Sequence, residues 1–174
     1  MISSLFRQNL QNKNLLLSAW LTTLLCIPLF SFFGRTLQLY LLSQVSGETL
    51  GRYMGFLLTG FIVGYGITLL RSGLHPHVWH LLWIAVFLFF LFRDIPYVET
   101  VHVAIFGLLG FLSQNLFTAK AAFIICASLS LLDEIFQYFL SNRVGDIRDV
   151  GINLFSSCLG LFLAFLLMES RQRK

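Results

Sequence analysis

A succession of long apolar runs separated by short polar joints constrains this chain more than any single motif does. An apolar run of about 17–25 residues is the length of a membrane-crossing helix. Six candidate spans can be marked: Leu15–Phe33, Met54–Leu70, Val78–Phe92, Thr100–Phe117, Ala119–Leu140 and Val150–Met168. The third is short, and only Thr118 separates the fourth from the fifth. Charged residues are 11% of the 174 positions and hydrophobic ones 57%, whereas an ordinary soluble domain carries about 25% charged residues. No polar stretch is long enough to fold alone, so residues 1–174 read as a single transmembrane domain, an all-α polytopic membrane helical bundle. The continuity of the runs argues against a β-barrel, whose strands alternate apolar and polar residues over about ten positions. The connection Gly34–Tyr53 contains an apolar stretch, Leu37–Val45, that is too short to span and is expected at the interface. With no small-x-small cleavage site after Phe33, the first run reads as an uncleaved anchor.

Six spans put both termini on one side. Arg7, Lys13, Arg71, Lys120, Arg171, Arg173 and Lys174 then fall with the termini, and Arg35, Arg52, Arg93, Arg143 and Arg148 fall opposite. Seven bases against five favours cytoplasmic N- and C-termini. The acids divide more sharply: Glu169 alone lies with the termini, and the other seven belong to the opposite face or the adjoining half of a span. Such segregation predicts one polar site, on the extracytoplasmic face of the membrane.

Four of the eight acids, Asp133, Glu134, Asp146 and Asp149, lie within seventeen residues, between the apolar stretches Ala121–Leu132 and Leu154–Leu167. A carboxylate near the bilayer centre costs on the order of 2.5–3.5 kcal/mol on insertion scales, so it marks a functional or pairing site by default. Helical spacing places Ser130, Asp133, Glu134 and Gln137 on one side of the fifth span. Asp149, Asn153, Ser156 and Gly160 share a side of the sixth, and Glu99, His102, Phe106 and Gly110 a side of the fourth. Three such stripes fit helices that face one another around an outward-opening polar pocket, with Gly110 and Gly160 allowing close approach deeper down. Asp149, where the sixth span begins, also suits a helix cap. Arg143, in the preceding loop, offers a planar fork that can bridge Glu134 or Asp146, or take an anionic group from a ligand.

These residues resemble the VanZ-like membrane protein family, named for a protein associated with teicoplanin resistance. The matching pattern is Asp133, Glu134, Gln137, Arg143, Gly145, Asp146, Ile147, Asp149, Val150, Asn153 and Gly160. A weaker element, Glu99-Thr-Val-His102 before Phe106-Gly-Leu-Leu-Gly110, extends the resemblance over about residues 99–160. Four positions depart from the pattern: Ser141-Asn142 stands for a Pro-Gly, Ser156 for a glycine, and Glu99 for a basic residue. The resemblance implies a multi-spanning cell-envelope protein and a link to glycopeptide susceptibility.

Three uses of the site remain open at this level. In one, the pocket engages a lipid-linked envelope precursor or an anionic lipid, with Arg143 on the anionic group and Glu134, Gln137, His102 and Asn153 shaping the pocket. In another, an intramembrane hydrolase or transferase uses His102 or Glu134 as general acid or base. In the third, the polar residues clamp helices together without a ligand. A transporter is disfavoured by the lack of paired interrupted helices or an inverted repeat. His102, Glu134 and Asp149 lack the spacing that would demand a metal, and no cofactor is called for. Cys26, Cys126 and Cys158 all lie in apolar runs and act as small hydrophobes. The His75-Pro-His77-Val-Trp-His80 group reads as an interfacial loop with its aromatic belt. Gly51/Gly55 and Gly60/Gly64 suit close helix packing, within the bundle or between protomers. Nothing in the chain suggests a nucleic-acid partner.

Overall fold

The computed structural model describes residues 13–50, 99–141 and 145–172, with 52, 53, 56, 60, 63, 64 and 67 in between. Four long helices stand out among them: α1 Lys13–Gln44, α2 Glu99–Leu116, α3 Ala119–Tyr138 and α4 Ile147–Gln172. Three match the fourth, fifth and sixth expected spans to within a few residues. The third span, the histidine group His75–His80 at its start, Gly51 and Gly55 lie outside the described residues.

The expected connection from Gly34 is corrected, because α1 continues without a break through Gly34 and Leu37 to Gln44. A single glycine costs a helix interior only about 1 kcal/mol. The Leu37–Val45 stretch supplies straight-chain residues that continue the helix, and a proline inside it, Pro28, is also accommodated.

The chain divides into two compact units, one of Met1–Arg35 with His102–Phe165, the other of Thr36–Val101 with Leu166–Lys174. In the second, a new helical segment starts just after α1, with Ser46 Oγ accepting from the Thr49 N–H at 3.3 Å and Glu48 pairing loosely with Arg52 at 3.8 Å. The first unit holds all the contacts described below.

Within that unit the helices are joined tightly. Thr118, in an extended conformation, caps α3 by accepting from the Ala121 N–H, so α2 and α3 form a hairpin with almost no loop. Trp20 of α1 donates its indole N–H to Ser113 Oγ of α2 at 2.9 Å and packs edge-on to Phe117. Ile27, Phe106, Leu109 and Cys126, from α1, α2 and α3, form the apolar core.

The bundle buries polar side chains beside its apolar core and carries large apolar ones on its outside. Thr23, Ser31, Ser113, Ser130, Asp133, Glu134, Gln137, Asn153, Ser156 and Ser157 are buried, while Leu21, Leu25, Leu29, Phe123, Ile124, Leu131 and Leu132 are exposed. Water would penalise that arrangement by roughly 25 cal/mol for each Å² of exposed apolar surface, and hydrocarbon does not. Lys13–Gln44 and Ile147–Met168 are both long and apolar enough to cross a membrane. The 20-residue α3 has a comparable length but carries Lys120, Asp133 and Glu134.

Candidate polar site

Asp133, Glu134 and Gln137 occupy one face of α3 because they are three and four residues apart, and all are buried. The Gln137 amide nitrogen has two hydrogens and uses them on both acids, donating to Asp133 Oδ2 at 3.1 Å and to Glu134 Oε1 at 3.2 Å. One neutral side chain thus holds two adjacent carboxylates in fixed rotamers.

Two further helices close on Asp133. From α2, His102 Nδ1 stands 3.6 Å from Asp133 Oδ2, with the acid wholly buried and the imidazole 17% exposed. From α1, the Ser31 hydroxyl donates to Asp133 Oδ1 and also lies 3.1 Å from the Ile27 carbonyl one turn back. The spacing rules applied to the acidic segment do not reach Ser31, which is distant in sequence. Its signal is the recurrence of Trp20, Thr23, Ile27 and Ser31 at intervals of three and four on a helix whose other faces are apolar.

Glu134 is held from the other direction. Its Oε2 accepts the main-chain N–H of Asp146 at 3.1 Å. Gly145 permits that approach: a Cβ on it would stand 2.8 Å from the Glu134 carbonyl oxygen and 3.2 Å from Tyr138 Cβ.

The cap of α4 is Asp146, which corrects the capping role offered to Asp149. The exposed Asp146 side chain accepts from the Arg148 N–H at 2.9 Å, and its carbonyl from Asp149 and Val150. The helix starts a few residues earlier than the apolar run, which moves the cap position with it. Asp149 lies instead in the first turn, where the helix dipole favours a carboxylate, with Arg148 Nε 4.0 Å away. Asp146→Ala is expected to lower stability by about 1 kcal/mol, with hydrogen exchange accelerated at the Arg148 and Asp149 amides.

Of the nine residues singled out by the sequence, His102, Asp133, Glu134, Gln137 and the main chain of Asp146 are thus brought together. Asn153 is buried further along α4, and Asp149 is half-buried beside Arg148. Glu99 opens α2, but its side chain, like the whole of Arg143, lies outside the described residues. Below the cluster α2 and α4 nearly touch. A Cβ on Gly160 would overlap the Gly107 carbonyl oxygen and come within 2.7 Å of the Phe111 nitrogen, and one on Gly110 would overlap the Ser157 backbone. Gly60 and Gly64, offered for close packing, have nothing within 4 Å of such a Cβ among the described residues.

Chemically, the described cluster is rich in acceptors: two carboxylates, one imidazole, one amide and one hydroxyl. It can orient an imidazole, tie helices together or receive a donor group, and a bound anion would need the guanidinium of Arg143 as well.

A helical unit with an apolar exterior, two apolar helices of membrane-crossing length and a buried acid–amide cluster faced by an imidazole defines the class as an all-α membrane protein. The chain matches the VanZ/LLP1 description over residues 24–168 and belongs to that family. No curated protein and no solved structure matches it.

Proposed function

We propose that the chain is a multi-pass protein of the bacterial cytoplasmic membrane, with six spans, cytoplasmic termini and its polar site on the extracytoplasmic side. The site engages a lipid-linked envelope precursor or another anionic lipid, and through that engagement alters susceptibility to glycopeptides such as teicoplanin. The observation that carries the reading is the Gln137 amide shared between the Asp133 and Glu134 carboxylates, with His102 supplied by another helix. In this reading Arg143 takes the anionic group. Glu99, Asp146, Asp149 and Asn153 complete the surroundings, and Glu134 and His102 accept or donate hydrogen bonds to the rest of the ligand.

Mass spectrometry of molecules retained by the purified protein tests this. Wild type is expected to carry a specific anionic lipid that Arg143→Ala and Glu134→Gln lose at matched thermal stability. Equal retention in all three sinks the reading. For orientation, a cysteine at Asn142 is expected to react with an impermeant reagent from the outside; labelling only from the cytoplasmic side rules the topology out.

A second reading, the helix clamp without a ligand, is favoured by one observation: Asp133 engages Ser31, His102 and Gln137 on three helices. The Asp133–His102 approach also suits an acid–base dyad of a hydrolase or transferase, in which the carboxylate orients the ring. Product formation that His102→Gln abolishes while lipid retention persists separates that case from binding alone.

A further inference from the structure

Asn153 is 1% exposed, and neither its Oδ1 nor its Nδ2 has a hydrogen-bond partner among the described residues. Its neighbour Ser156 is satisfied locally, donating back to the Ile152 carbonyl at 2.7 Å, whereas the Ser157 hydroxyl one turn along is left, like Asn153, without a partner among the described residues. An asparagine amide has two donors and a carbonyl to satisfy, and here all are left over. The cost of burying a polar group in that state is about 1–3 kcal/mol by mutational data. A typical interhelical polar contact in a membrane contributes only about 0.6 kcal/mol, so one such contact elsewhere does not offset it.

The chemistry of the missing partner follows from the two kinds of atom. An anion would accept from Nδ2 and leave Oδ1 alone, and a cation would do the reverse. A hydroxyl both donates and accepts. Asn153 follows Asp146 by seven residues, or about 10 Å along a helix, and the Asp146 N–H marks the level of Glu134. Asn153 therefore lies along α4 beyond the level of the carboxylate cluster on α3.

We propose that Asn153 binds one neutral hydroxyl inside the bundle, the oxygen belonging either to an internal water or to a hydroxyl-bearing lipid headgroup that enters from the carboxylate end. The water form stands on the bundle geometry alone; the lipid form deepens the function proposed above.

The full-length protein in nanodiscs of phosphatidylcholine, with and without phosphatidylglycerol, distinguishes the sources. Water-edited solid-state NMR of the wild-type Asn153 amide needs no variant. An internal water gives a cross-peak in both lipids. A lipid hydroxyl gives a contact only with phosphatidylglycerol, and Asn153→Leu then retains that lipid about tenfold less, or about 1.4 kcal/mol. Either result supports the proposal. The absence of both signals overturns it, whatever the thermal stability of Asn153→Leu. Because Arg143→Ala scores the envelope-ligand reading separately, that reading can fail while the water cross-peak persists.

Discussion

Gly160→Ala is expected to lower the unfolding midpoint of the purified protein by about 10 °C, while Gly151→Ala on the same helix leaves it unchanged or raises it slightly. The two substitutions add the same methyl group to α4 and the same helix propensity. They differ in what the methyl meets. At Gly151 a Cβ finds nothing within 4 Å among the described residues, whereas at Gly160 it overlaps the Gly107 carbonyl oxygen and stands 2.9 Å from the carbonyl carbon. Those neighbours are backbone atoms, which cannot rotate away, so α4 must withdraw from α2. Overpacking of this kind costs about 3 kcal/mol at the upper end of the usual range, and each kcal/mol moves a chain of this size by about 2–4 °C. At Gly151, alanine favours the helix by about 1 kcal/mol. Thermal unfolding of both variants in one detergent checks the contrast, and equal midpoints would remove the close α2–α4 approach from consideration.

Asp133→Ala is expected to destabilise by about 2 kcal/mol, reckoned from three interhelical or intrahelical polar contacts at about 0.6 kcal/mol each. Among the described residues, the substitution leaves the Ser31 hydroxyl with the Ile27 carbonyl and Gln137 with Glu134, and removes the carboxylate facing His102. Combining it with Ser31→Ala is expected to cost less than the sum of the two single changes, since both remove the same hydrogen bond. Additive effects in that cycle would show that α1 and α3 do not communicate through this pair. Asp133→Asn retains an acceptor for Ser31 and is expected to fall between wild type and alanine.

Much of this was legible before any helix was placed. The apolar runs at 100–117, 119–140 and 150–168 became α2, α3 and α4 because length and continuous hydrophobicity leave a chain in lipid no alternative to satisfying its backbone within a helix. The spacing Asp133, Glu134, Gln137 likewise fixes one face of α3, since a helix brings residues three and four apart together wherever it sits. The end of α1 was less legible: Gly34 and Arg35 resemble a joint in one dimension, but a helix tolerates both. Asp149 as the cap failed for a related reason, because apolar content locates a helix while the cap depends on where its first turn forms.

By itself, then, the sequence determines an all-α membrane protein, its polar stripes and its family motif, since periodicity and hydrophobic length are properties of a single strand of residues. Only the tertiary structure decides that Ser31 of α1 reaches Asp133, that the Asp146 amide reaches Glu134, and that Asn153 remains unsatisfied among the described residues. Those facts depend on how close one helix comes to another. That distance is set by glycines such as Gly145 and Gly160, through the neighbours a missing side chain allows them to have.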